Sequence, residues 1–258
     1  MKLSDLDMAR QNAIGNELFK YCFPLYCETE CDGFDYHFIG SSFLLEFDKR
    51  IFSIFTKHQY DIALGKTIFI THSKTDRGLN ISKFKGFVSE DSDLVIFEIN
   101  NPSNELDEKR NLVIPINFLK QPKSFNDCEM VALGYPRVIN NVGYNDRTIK
   151  PIPGGIVSSE FDLKDGRNTI VISTNNIKLG VIKDINTHYD LTQGYSGGPV
   201  FGLKIIDKDD CDFVFVGVSS FSSENPPAIH VVRTLEILDC LHHSYGIFDK
   251  CIENDIDE

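Results

Sequence analysis

The chain has 258 residues, 41% of them hydrophobic, with 20 Phe, no Trp and a formal net charge of −12. That length suits one large β architecture or two small stacked ones, and the apolar fraction is enough to bury a core. The acidic balance argues against nucleic acid or an anionic membrane as a partner. No stretch approaches the ~18 apolar residues of a membrane span, and Met1-Lys2-Leu3-Ser4-Asp5 lacks the apolar core of a secretory signal. The chain is therefore expected to stay in the cytoplasm.

Residues 5 to 21 read as a helix, with Ser4 as N-cap, Asp7 as its capping-box partner and a stripe of Leu6, Ala13, Leu18 and Tyr21. An acidic stretch at 28–35 follows. Strand-like material begins at 36–45, turns at Asp48-Lys49-Arg50 and returns at 51–56, ending on Lys57-His58. Further strands are expected at 67–71, 84–88, 93–99 and 111–115. Residues 115–126 lose the alternating pattern, gain Pro and polar residues, and read as a linker. Strands resume at 129–134, 150–158, 169–174, directly after Ser196, at 213–221 and at 228–232. A closing helix at 233–243 carries Leu235, Ile237, Leu238 and Leu241, and the tail 253–258 is acidic. The expected organisation is an N-terminal helix and acidic segment (1–35), a first β-barrel (36–118), a second (119–232) and a C-terminal helix and tail (233–258). The fold class is all-β, with two small antiparallel barrels or sandwiches.

Seven Cys, at 22, 27, 31, 128, 211, 240 and 251, form an odd and scattered set that suits a reducing compartment. Cys22, Cys27 and Cys31 contain no C-x₂-C pair and have no evident fourth ligand, so neither a metal nor another cofactor is expected.

The most informative stretch is Gln193-Gly194-Tyr195-Ser196-Gly197-Gly198-Pro199-Val200. Glycine on both sides of a serine permits a tight turn and close approach to main-chain N–H groups. Two such groups aimed at one spot make an oxyanion hole. An isolated S-G-G is more often a hairpin turn, so the decision rests on partners: a base to take the serine proton and a carboxylate to orient that base. Among seven His, His58 stands at a strand end and His72 is its rival. His37, His188, His230, His242 and His243 lie inside strands, beside the serine segment or on the terminal helix. Asp93 directly precedes an apolar run, with Asp91 as the fallback.

The order His58, Asp93, Ser196 resembles that of the trypsin-like (chymotrypsin-fold) serine peptidases, whose active site lies between two six-stranded barrels. Gly40-Ser41-Ser42-Phe43-Leu44 is similar to the family's G-[ST]-x-F-[LI] strand and Ile54-Phe55-Thr56-Lys57-His58 to its V-T-[AN]-x-H segment, with the threonine shifted by one. Asp93-Leu94-Val95-Ile96 is similar to D-[IL]-A-L, Gly155-Ile156-Val157-Ser158 to G-x-V-S, and Gly194 to Val200 to G-[DN]-S-G-G-P-[LV]. The resemblance spans residues 36–243. It implies two six-stranded barrels with short terminal helices, Ser196 as nucleophile, His58 as general base, Asp93 orienting it, and the N–H groups of Gly194 and Ser196 as oxyanion hole. Tyr195 stands where many members carry an Asp that pairs with a freed N-terminus, and no I-V-G-G segment precedes the first barrel. The pattern is thus nearer to the intracellular and bacterial high-temperature-requirement branch than to secreted zymogens.

Asp190, six residues before Ser196, matches the pocket-base acid of members that prefer Arg or Lys. Ser220-Phe221-Ser222 resembles the pocket-wall S-W-G, with Ser222 in place of Gly, and Ala228 replaces a pocket-floor Gly. The implied function is a serine endopeptidase acting on protein or peptide substrates. The competing reading is a catalytically inactive protease fold used as a binding module. A protease in a reducing compartment needs restraint, which points to a regulatory protein partner and to an effector role in a stress or antiviral-defence system.

Overall fold

The computed structural model describes residues 1–29, 36–72, 75–99, 112–119, 125, 128–136, 153–164, 169–173, 178–179, 194–224 and 227–246. After a 3₁₀ turn at Leu3–Asp5, helix α1 (Met8–Phe19) opens at Asp7, whose carboxylate accepts the Arg10 amide at 2.8 Å. The N-cap is thus Asp7 and not Ser4. Both residue types can cap, and Leu6 is buried, so starting the helix after it lets that side chain reach the core.

The first sheet contains β1 (Cys22–Glu28), β2 (Tyr36–Phe47), β3 (Arg50–Thr56), β4 (Ile68–His72), β5 (Thr75–Asn80), β6 (Lys85–Ser89) and β7 (Leu94–Glu98). Their order is β5-β4-β1-β2-β3-β7-β6, and every neighbouring pair is antiparallel. Strand β1 was not expected, because Pro24 inside it removes a ladder donor. The ladder with β4 covers only Leu25 to Cys27, so Pro24 lies beyond it and its missing N–H costs no bond there. The expected strand at 111–115 reduces, among the described residues, to a bridge between Leu45 and Ile114.

The second sheet contains β8 (Glu129–Gly134), β9 (Gly154–Ser158), β10 (Phe161–Lys164), β11 (Thr169–Ser173), β12 (Lys178–Leu179), β13 (Pro199–Ile205), β14 (Cys211–Glu224) and β15 (Pro227–Arg233). Their order is β10-β11-β15-β14-β13-β8-β9-β12. The sheets therefore hold seven and eight strands where six and six were expected: β1 and β5 join the first while the expected 111–115 strand drops out, and β10 and two-residue β12 extend the second alongside β11 and β9. Helix α3 (Thr234–Tyr245) closes on Gly246 at φ 63°, a left-handed C-cap.

Three apolar clusters hold this arrangement. One lies on the first sheet, around Phe23, Leu44, Phe55 and Val95, and one on the second, around Met130, Ile170, Tyr195 and Val231. The third joins the sheets: Phe43 packs on Phe215 at 5.2 Å between ring centroids, and Ile14 and Leu18 of α1 and Ile237 and Leu241 of α3 complete it. Among the described residues no helix is long and apolar enough to cross a membrane.

Candidate active site

Strand β3 ends at Thr56, and the chain turns at once into α2 (Lys57–Ile62). His58 is its second residue. Its Nδ1 lies 2.9 Å from Asp93 Oδ2 and 3.3 Å from Oδ1, and its main-chain N–H donates to Oδ1 at 3.0 Å. Asp93 takes a left-handed backbone at φ 52°, which Asp tolerates better than most residues. Its carbonyl accepts from Lys57 N at 3.0 Å, fixing the turn against the start of α2. On the far side Ser220 donates its hydroxyl to Asp93 Oδ2 at 2.6 Å. Burial alone would push the Asp93 carboxyl up, but the bonds from His58 and Ser220 outweigh it and hold the group below the usual carboxylate range. An ionised Asp93 fixes the His58 proton on Nδ1 and leaves Nε2 as the acceptor. The hydrogen-bonding contact of Nε2 is with Thr56 Oγ1, at 3.3 Å.

The Ser196 turn enters β13 from the second sheet and is tied to the first. Ser196 O accepts from Ser41 N at 3.0 Å and from Gln59 Nε2 at 2.8 Å. Ser41 Oγ donates to Gly194 O at 2.6 Å and accepts from Tyr135 N at 2.9 Å. Within the second sheet, Gly197 N donates to Ser219 O at 2.7 Å, Ser219 N to Gly198 O at 2.9 Å, and Ser219 Oγ to Tyr195 O. The two glycines after the serine are required by space. A Cβ at Gly197, whose φ is 80°, would fall 2.1 Å from Ser41 O, and one at Gly198 would fall 1.9 Å from Leu133 O. Neither the Gly194 nor the Ser196 N–H donates to another described main-chain carbonyl.

Among solved structures, the chain is similar to the HtrA-type protease AlgW with tripeptide, at a TM-score of 0.51 and 12% identity, over 93% of this chain and 64% of that one. It thus spans less than two thirds of that chain's length. This is a chymotrypsin-like double-barrel fold. The MamO protease domain from Magnetospirillum magneticum, in its apo form, matches with a TM-score of 0.49 and 8% identity, over 91% of this chain and all of that one. No protein-family model and no curated protein matches the sequence.

Within this double-barrel fold, the described pocket candidates lie on β14 and its neighbour β15. Ser220 is buried on β14 and engages Asp93. Phe221 is exposed and stacks on His230 at 4.0 Å. Ser222 lies opposite Ile229 in the ladder of β14 and β15, and Ala228 is buried on β15. Asp190 and His188 lie outside the described residues. His72 ends β4, His37 sits in β2 opposite Cys27, and His242 and His243 are in the last turn of α3. Asp91 is exposed in the turn before Asp93. Tyr195 is fully buried: a Cβ at Gly134 or Gly154 would fall 2.7 or 2.8 Å from its atoms. Among the described residues no group of three or more His, Cys, Asp or Glu side chains could hold a metal ion. Three residues that shape the site carry no chemical signal in the sequence: Gln59 and Ser41, whose partners are largely main-chain groups, and Thr56, whose hydroxyl meets the side chains of Gln59 and His58.

Proposed function

We propose that this chain is a serine endopeptidase. In this reading Ser196 Oγ attacks the scissile carbonyl while His58 Nε2 takes its proton, and Asp93 stabilises the imidazolium. The carbonyl oxygen becomes an oxyanion facing the Gly194 and Ser196 N–H groups. His58 then passes the proton to the leaving amine, leaving an acyl ester on Ser196. Water, activated by the same imidazole, hydrolyses that ester and restores the hydroxyl. The observation that carries the reading is the hydrogen-bonded series from His58 through Asp93 to Ser220, set beside a serine turn whose carbonyl is held by the residue after His58.

Peptide is the substrate class, in keeping with the tripeptide named with the similar HtrA-type protease. Cleavage after Arg or Lys follows if Asp190 lines the primary pocket with Phe221, Ser222 and Ala228 around it. A reducing, cytoplasmic setting is in keeping with the odd and scattered set of seven Cys. In such a setting a protein partner would restrain the protease, as in a stress or defence response. The test is hydrolysis of Arg- and Lys-containing peptides by the purified chain and by Ser196→Ala. The substitution is expected to lower turnover by at least about 10⁴-fold; equal rates would remove Ser196 from the reaction.

A second reading, the fold as a peptide-binding module without turnover, is favoured by the contact of His58 Nε2 with Thr56 Oγ1. Saturable peptide binding without hydrolysis by the folded wild-type chain would select it.

A further inference from the structure

Gln59 follows His58 directly, and its side chain is 1% exposed. Both ends of its amide are engaged. Nε2 donates to Ser196 O at 2.8 Å and Ser41 O at 3.2 Å, while Oε1 accepts from Thr56 N at 3.0 Å and Thr56 Oγ1 at 2.8 Å. The space around it is cut to fit an amide. A Cβ on Gly40 would fall 2.0 Å from Nε2, and one on Gly197 would fall 2.4 Å from Oε1. The side chain therefore joins the residue that starts α2, and so carries His58, to the carbonyl of the serine on the opposite sheet.

The Thr56 hydroxyl gives this strut a second consequence. It has one proton and two acceptors in reach, Gln59 Oε1 at 2.8 Å and His58 Nε2 at 3.3 Å. A proton given to Gln59 leaves the Nε2 lone pair open to Ser196. A proton given to Nε2 occupies the atom that must accept the serine proton. The shorter contact is the one to Gln59.

We propose that Gln59 is a positioning residue for the nucleophile and its base. It fixes the Ser196 turn against α2, and it holds the Thr56 hydroxyl proton away from His58 Nε2. The inference rests on the catalytic reading above and extends it to a residue that touches no substrate. Of an amide, an ionised carboxylate and a thioether, only the amide satisfies both ends: a carboxylate at Gln59 can accept from Thr56 but repels the Ser196 and Ser41 carbonyl oxygens, and a thioether of similar size can serve neither end.

The test compares the rate of covalent labelling by a fluorophosphonate probe in wild type, Gln59→Met and Gln59→Glu, with thermal unfolding of each to establish the folded fraction. Gln59→Met is expected to label about 10- to 100-fold more slowly while folded, with KM for a peptide within about threefold of wild type. Gln59→Glu serves as a conservative variant with a pH readout. A buried carboxyl facing carbonyl oxygens takes up a proton readily, and the neutral acid can again donate to Ser196 O. Its labelling rate relative to wild type is therefore expected to recover as pH falls. Two results would overturn the proposal: wild-type rates in both variants, or a loss that tracks the unfolded fraction with no recovery at low pH. A wild-type chain that does not label would remove it together with the catalytic reading, which distinguishes that failure from a failure of Gln59 alone.

Discussion

Asp93 receives three donors on its two carboxylate oxygens: the His58 main-chain N–H, the His58 ring and the Ser220 hydroxyl. A carboxylate whose folded pKa lies below its unfolded value stabilises the fold above the unfolded pKa, and that contribution is lost as pH falls through the folded one. Acid unfolding followed by circular dichroism below about pH 4 is therefore expected to show a steeper loss in wild type than in Asp93→Asn, which cannot ionise. Parallel curves would mean that ionisation of Asp93 contributes nothing to folding. His58 and Asp93 were legible as neighbours because each stands at the end or start of an apolar strand, where the sequence pattern changes. Ser220 and Gln59 were not: their decisive partners are 127 and 137 residues away in the chain, and no local pattern encodes a contact at that separation.

At the scale of elements, the serine turn is held by crossed main-chain bonds. Gly197 and Gly198 cannot gain a side chain without displacing the carbonyl of Ser41 or Leu133. Gly198→Ala is thus expected to destabilise the fold by roughly 2–4 kcal/mol, at the upper end for a single methyl group because backbone must move. Urea denaturation measures this, and a change under about 0.5 kcal/mol would mean that the turn can relax. The turn, strands β2, β3 and β7, and helix α3 were all readable from alternation, punctuation and apolar periodicity. Strand β1 was hidden by Pro24 and by the acidic residues after it. The start of α1 moved from Ser4 to Asp7 because burial of Leu6 decides between two capable caps. The short helix α2 replaced a simple strand end because Gln59 and Thr56 close a turn that neither residue would signal alone.

Across the whole molecule, the site lies where the two sheets meet, and its geometry depends on how firmly they are joined. Phe43 and Phe215 are both fully buried in the cluster shared by the sheets and the two terminal helices. Phe215→Ala is expected to cost about 3–5 kcal/mol in chemical denaturation, and to loosen the contact that brings Ser196 O against Ser41 and Gln59. A variant as stable as wild type would show that the sheets are joined elsewhere. The all-β class and its two-part organisation followed from sequence because strand spacing and composition are properties of the whole chain, whereas the choice of barrels over sandwiches rested on the family resemblance of the motifs around His58, Asp93 and Ser196. The number of strands did not follow, since a two-residue strand such as β12 is created by its partner β9.

The most direct test of the account is mass-spectrometric mapping of the purified wild-type chain after exposure to a fluorophosphonate probe. The account predicts one covalent adduct, on Ser196, that is abolished by Ser196→Ala and by His58→Ala. A folded wild-type chain with no adduct, or with an adduct that persists in Ser196→Ala, would contradict it.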